Sequence, residues 1–218
     1  MSRNKPKTRV KSARGRKTSS TRWLQRQIND PYVEKAHQEG YRSRAAFKLL
    51  EIDEKLHFLK KDLLVVDLGA APGGWSQVAT QSGCEVVAID LLAMDEVPGV
   101  RFVQMDFMDD EAPETLRDMM GGRPADIVLS DISPNTTGHK ATDHIRIMAL
   151  VEAAYEFAVE ILKADGTFVA KVFQGGTESE LLARMKRDFK TVRHIKPPAS
   201  RKESAEQYVV ASGFRKAG

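Results

Sequence analysis

The 218-residue chain has one cysteine, Cys84, which excludes an internal disulfide and any multi-cysteine zinc or iron–sulfur site. Its five histidines (His37, His57, His139, His144, His194) are scattered, without the spacing of metal ligands. No apolar run approaches the ~18 residues of a membrane helix. The first residues include no hydrophobic segment of the signal-peptide kind. Residues 2–20 are nearly devoid of large apolar side chains, so they offer no amphipathic face of the type a mitochondrial transit peptide uses. These absences predict a cytoplasmic protein without membrane contact. Acid is missing as well: residues 1–29 contain no Asp or Glu.

What those 29 residues do contain is ten of the chain's 34 basic residues: Arg3, Lys5, Lys7, Arg9, Lys11, Arg14, Arg16, Lys17, Arg22 and Arg26. The other 189 residues therefore carry 24 bases against all 30 acids, and the modest net charge of +4 conceals a basic arm of +10 joined to a body of −6. The arm cannot bury enough apolar surface to offset the entropy of ordering. Residues 1–22 are read as a disordered, RNA-binding arm, since a run of bases without acids suits a phosphate backbone and Trp23 could stack on a base. Residues 23–218 are read as one domain, with N-terminal helices over 23–60 and an α/β core over 61–214.

Within the body, apolar spacing predicts helices over 22–37, 43–57, 74–82, 113–120, 143–163 and 178–189. The fifth carries Met148, Val151, Tyr155, Ala158 and Leu162 on one face, and Thr177 and Glu180 form a capping box before the last. Seven strands are expected at 63–68, 85–90, 100–106, 126–131, 166–172, 192–196 and 207–212. Several are continuous apolar runs, as in strands covered by helices on both faces. The alternation of β and α predicts a doubly wound, mostly parallel sheet.

In such a sheet ligands bind beyond the carboxyl ends of the strands. After the first strand comes Asp67-Leu68-Gly69-Ala70-Ala71-Pro72-Gly73-Gly74-Trp75, whose small residues allow a sharp turn and close approach to a ligand. It is neither the G-x-G-x-x-G fingerprint of dinucleotide binding nor a P-loop, which counts against NAD and ATP. The second strand ends in Asp90, placed to accept both hydroxyls of a ribose. The third ends in Asp106, placed to accept from an exocyclic amine. Together these suit a nucleoside without a charged phosphate tail, and point to S-adenosylmethionine. The fourth strand ends Ser130-Asp131-Ile132-Ser133-Pro134-Asn135, without the Pro-Cys nucleophile of cytosine-C5 enzymes or the Pro-Pro-aromatic run of amino-methylating ones. The fifth includes Lys171 between Ala170 and Val172, costly to bury unless paired and hence a candidate functional amine.

Four stretches carry a family resemblance: Arg42-Ser43-Arg44-Ala45-Ala46-Phe47-Lys48-Leu49, Asp67 to Gln77, Ser130-Asp131 with Pro134-Asn135, and Val169-Ala170-Lys171-Val172-Phe173-Gln174-Gly175. From about Ser20 to Gly213 the chain resembles the FtsJ/RrmJ (RlmE) ribosomal RNA 2′-O-methyltransferases. The resemblance implies a Rossmann-like methyltransferase fold with the last strand inserted antiparallel. It implies methyl transfer from S-adenosylmethionine to a uridine 2′-hydroxyl in the aminoacyl-tRNA-contacting loop of 23S rRNA, without a metal. The family's catalytic Lys-Asp-Lys-Glu set falls on Lys48, Asp131, Lys171 and a glutamate near the last strand, Glu203 or Glu206; the spacing to Tyr208 favours Glu206. Cofactor contacts fall on Gly73, Trp75, Asp90, Asp106 and Asp131, and the loop reading adds Gly69. The expected partner is 23S rRNA within the large subunit, with the enzyme a monomer. Other RNA targets (tRNA or a messenger cap) and a non-catalytic RNA-binding assembly factor are the competing readings, the latter opposed by a complete tetrad.

Overall fold

The computed structural model describes residues 21, 24–25, 27–133, 140–173 and 179–215, with the backbone alone for 140–144. The basic arm, Trp23, Pro134, Asn135, Gln174, Gly175 and Thr177 lie outside the described residues. The helices are α1 (Pro31–Gln38), α2 (Ala45–Leu56), α3 (Gly74–Gln81), α4 (Ala112–Met119), α5 (Lys140–Ile161) and α6 (Ser179–Asp188). The strands are β1 (Leu64–Leu68), β2 (Glu85–Asp90), β3 (Val100–Gln104), β4 (Ala125–Ser130), β5 (Leu162–Phe173), β6 (Phe189–Ile195) and β7 (Glu206–Phe214).

The first expected helix, 22–37, is interrupted at Asn29-Asp30. Proline at position 31 disfavours helical geometry in the residue before it, and Asp30 is extended (φ −84°, ψ 115°). Its carboxylate then caps the new helix by accepting from the Tyr32 N–H at 3.1 Å. Two strands also begin earlier than the apolar pattern suggests. β5 starts at Leu162, directly after α5, because Leu162 pairs with Ala125 across a register shift. β6 starts at Phe189, which opposes Phe214.

The sheet order is β3-β2-β1-β4-β5-β7-β6. β1, β2, β3, β4 and β5 pair in parallel, while β7 is antiparallel to both β5 and β6. The core has two layers. On one face α4, α5 and α6 cover Val66, Leu68, Ile89, Val128, Phe168, Ala170 and Val172 through Leu116, Tyr155 and Met185. On the other, α2 and α3 cover Val65, Val86, Leu129, Val169 and Val210 through Leu49, Ile52, Trp75 and Val78. Neighbouring residues such as Val65 and Val66 thus point to opposite, equally buried faces, which is why the strands read as unbroken apolar runs.

This parity positions the chemistry. Ala170 and Val172 belong to the α5 side, so Lys171 between them faces α2. Lys171 is in register with Tyr208 on the antiparallel β7. Glu206, two residues earlier on β7, shares the face of Tyr208. The strand order reverses at β1 and β4, which flank the crevice where this class of sheet binds its ligands.

Candidate active site

At that switch point lies a cavity of about 620 Å³, lined among others by Gly69, Asp90, Asp106, Phe107, Asp131, Ile132 and Arg146. Gly69 has φ +77°, and a Cβ there would lie 2.8 Å from Ile132 Cγ1 and 2.9 Å from Ile132 Cα, so only glycine fits. Both oxygens of Asp90 are held by main chain: Oδ2 accepts from Ala71 N at 2.9 Å and Oδ1 from Leu92 N at 2.8 Å. Asp90 thereby ties the end of β2 to the glycine loop. Asp106 Oδ1 accepts from Met108 N at 3.0 Å, which turns the chain after β3 toward the cavity. Leu91, Leu92 and Met108 add apolar wall.

Beneath the loop, Asp67 is fully buried. Ser76 Oγ donates to its Oδ2 at 2.6 Å, while Oδ1 has no hydrogen-bond partner among the described residues. Burial pushes its carboxyl up to about 7; the Ser76 bond opposes this, and the charges of Asp131 and Asp90 add to it. Gly73 and Trp75 are not on the cavity wall. Trp75 is buried against Tyr208 (ring centroids 5.4 Å apart), and its indole N–H donates to Ala45 O at 2.9 Å.

Where β4 and β5 end and the antiparallel β7 begins, four of the expected residues come together. Lys171 Nζ donates to Asp131 O at 2.6 Å and pairs with Asp131 Oδ1 at 3.1 Å. Lys48 Nζ, from α2, pairs with Glu206 Oε1 at 2.8 Å, and Ser200 Oγ donates to the same oxygen at 2.9 Å. Glu206, not the exposed Glu203, is therefore the glutamate that meets Lys48. The two ion pairs are bridged by a residue the sequence reading did not single out. Tyr208 OH donates to Asp131 Oδ1 at 2.8 Å and accepts from Lys48 Nζ at 3.1 Å. Burial, with Asp131 and Glu206 close by, holds the Tyr208 phenol well above its ordinary range, so it stays a donor. For Asp131, burial alone would raise the carboxyl. The Lys171 and Lys48 ammonium groups and the Tyr208 hydrogen bond outweigh it and hold Asp131 below its ordinary range. The result is a nearly enclosed chain of alternating charge, Lys171–Asp131–Tyr208–Lys48–Glu206, beside the cavity.

A glycine-turn crevice at the switch point of a doubly wound sheet, with a lysine–carboxylate chain beside it, is the ligand-binding arrangement of an α/β enzyme. A model of the FtsJ-like methyltransferases matches residues 41–214, and the chain belongs to that family. It is 62% identical over 215 residues to ribosomal RNA large subunit methyltransferase E of Azorhizobium caulinodans, covering 96% of this chain and 89% of that one. With the protein of the same name from Rhodopseudomonas palustris it shares 60% over 212 residues, 94% of this chain and 90% of that one. Among solved structures, a Plasmodium falciparum protein assigned as a ribosomal RNA methyltransferase is 32% identical with a TM-score of 0.71, covering 80% of this chain and 98% of that one. The fold is thus a Rossmann-like methyltransferase sheet, and the chain is a methyltransferase. Among the described residues no helix is long and apolar enough to cross a membrane.

Proposed function

We propose that the chain methylates a ribose 2′-hydroxyl of 23S ribosomal RNA with S-adenosylmethionine as donor, the target being a uridine in the aminoacyl-tRNA-contacting loop. The observation that carries this reading is Lys171, held by Asp131 at 2.6 and 3.1 Å beside the cavity and joined through Tyr208 to Lys48 and Glu206. No cysteine nucleophile for carbon methylation stands there, since Cys84 lies at the far end of β2 against Lys60 O.

The cavity fits the cofactor on its own terms. Asp90 and Asp106 present carboxylates at the end of β2 and just beyond β3, apolar Leu91, Phe107, Met108 and Ile132 suit an adenine, and Gly69, packed on Ile132, lines the same wall. The acids Asp90, Asp106 and Asp131 suit a cationic ligand over a polyphosphate. Bound there, S-adenosylmethionine supplies a methyl group on a sulfonium sulfur, already activated for transfer. The protein's own work is alignment and charge balance. Lys171, with two of its hydrogen-bonding directions fixed by Asp131, presents the third to the ribose hydroxyl and orients that oxygen. Asp131 and Glu206 balance the charge of Lys171 and Lys48, and the proton that the hydroxyl oxygen loses as it gains the methyl group passes to solvent water. The basic arm and the 23–60 segment hold the RNA beside this point. Four relatives of that printed name, each at least 58% identical over nearly the whole chain, support the large-subunit RNA as substrate.

The test is a map of 2′-O-methylated nucleotides in ribosomal RNA from cells with and without the protein. The expected result is one 23S uridine that loses its methyl group without the protein and regains it when purified enzyme is added to large subunits. Methylation that changes only in tRNA or messenger caps, or an unchanged map, rejects the proposal.

A further inference from the structure

Arg42 is basic, sits at the start of the Arg-Ser-Arg stretch that leads into the catalytic helix α2, and has no part in the mechanism above. Its surroundings differ from those of an arginine that awaits a phosphate. Nη1 donates to Asp95 O at 2.7 Å and to Pro72 O at 3.5 Å, and Nη2 donates to Glu96 O. The main-chain N–H of Arg42 donates to Gln77 Oε1 at 3.0 Å, and Gln77 Nε2 returns to Gly40 O at 2.8 Å. Three segments distant in sequence meet on this one residue: the turn before α2, the glycine loop with the first turn of α3, and the 94–97 segment that follows Asp90.

Gly73 is enclosed by the same contacts. A Cβ added there would lie 2.9 Å from Met94 Sδ, 3.0 Å from Val97 Cγ2 and 3.1 Å from Arg42 Cδ. The guanidinium fork spans carbonyls on both loops, which a single ammonium cannot do with the same geometry. Asp95 and Glu96 contribute carbonyl oxygens here, so the bonds carry no dependence on side-chain identity.

We infer that Arg42 is a positioning residue for the cofactor: it clamps the glycine loop to the loop after β2 and fixes both against the start of α2. The inference rests on the reading of Gly69, Ala71 and Asp90 as the cofactor's surroundings. Its consequence is that a basic residue in the turn before α2 serves the small ligand and not the RNA. Loss of the clamp loosens the cavity wall and leaves Lys171, Asp131, Tyr208, Lys48 and Glu206 in place.

The test uses the full-length protein and the variants R42A, R42K and Q77A, with S-adenosylhomocysteine as the calorimetric probe. R42A weakens its binding about ten-fold, the scale of one lost charge-assisted hydrogen bond. R42K does not restore it, and Q77A moves it in the same direction by less. In steady state the KM for S-adenosylmethionine rises, while kcat at saturating cofactor and the KM for RNA stay within about two-fold of the parent. The salt dependence of binding to a 23S rRNA transcript does not change. An arginine that touches a phosphate would instead lower that slope by about one and leave the probe's affinity alone; that result overturns the inference. So does R42K behaving as the parent, or equal losses for probe and RNA together with a lowered Tm in all three variants. A parent that fails to bind S-adenosylhomocysteine overturns the proposed function itself. A parent that binds it as tightly as R42A does overturns the inference alone.

Discussion

Tyr208 is the residue through which the two ion pairs of the site communicate. Removing only its hydroxyl, with Tyr208→Phe, takes one donor from Asp131 and one acceptor from Lys48, leaves them Lys171 and Glu206 as partners, and keeps the ring packed on Trp75. Bonds to charged groups are worth ~1.5–3 kcal/mol each, so kcat should fall by about 10- to 100-fold with S-adenosylhomocysteine affinity nearly unchanged. Calorimetry beside a methyl-transfer assay checks both parts. A second expectation concerns Asp67. Its carboxyl is raised from 3.8 to about 7 in the folded chain, so between those values the folded state binds more protons than the unfolded one. Stability of the unliganded protein therefore falls as pH rises from about 4 to about 7 and then levels off with respect to this group. Asp67→Asn, which keeps an acceptor for Ser76 and carries no charge, should remove that component. It should stabilise the protein at pH 8 by up to ~4 kcal/mol, on 1.36 kcal/mol per pKa unit. Urea titrations of both proteins from pH 5 to 8 measure it. Lys171 and Asp131 were legible in the sequence because a lysine in an apolar strand and an acid at a strand end stand out, whereas Lys48 and Glu206 came from the family resemblance. Tyr208 was not legible, because an aromatic ahead of Val209-Val210-Ala211 reads as ordinary core, and its hydroxyl acquires meaning only across the β5–β7 register.

At the scale of elements, the glycine loop is where sequence and geometry agree most closely. Gly69→Ala must adopt a positive φ and push against Ile132 backbone, a strain of ~1–2 kcal/mol before any steric cost. A thermal melt should show lowered stability, and the probe's affinity should drop with it, since Ile132 lines the cavity. The alternation of strands and helices was readable because the central strands β1 and β4 are buried and mostly apolar on both faces, while the helices between are apolar on one. Boundaries were less so. The break at Asn29-Asp30 depends on Pro31, and the early start of β5 depends on pairing with Ala125; periodicity sees neither. The place of β7 between β5 and β6 came from family resemblance, because nothing in its alternation says which neighbours it chooses. Asp30 shows how a local device gains a second use: it caps α1 and also pairs with Arg44 at 2.6 Å and Arg201 at 3.1 Å, holding the segment that carries Ser200 toward Glu206.

Across the whole molecule, charge is divided by task. The acidic body surrounds a crevice suited to a cationic cofactor, and the basic residues that precede it suit a polyanion. If half the charges of the arm contact phosphates, deletion of residues 1–22 should reduce the salt slope of RNA binding by roughly 3 to 4 units. Tm and S-adenosylhomocysteine affinity should be preserved, and fluorescence titrations at graded salt would check the slope. The proposed function as a whole depends on Lys171, held by Asp131 beside the crevice. Its most direct test is Lys171→Ala, assayed for transfer of tritiated methyl groups to large-subunit RNA and, by calorimetry, for S-adenosylhomocysteine binding. Methyl transfer should disappear while the probe binds nearly as well as to the parent; a variant that methylates at the parent's rate would contradict the assignment.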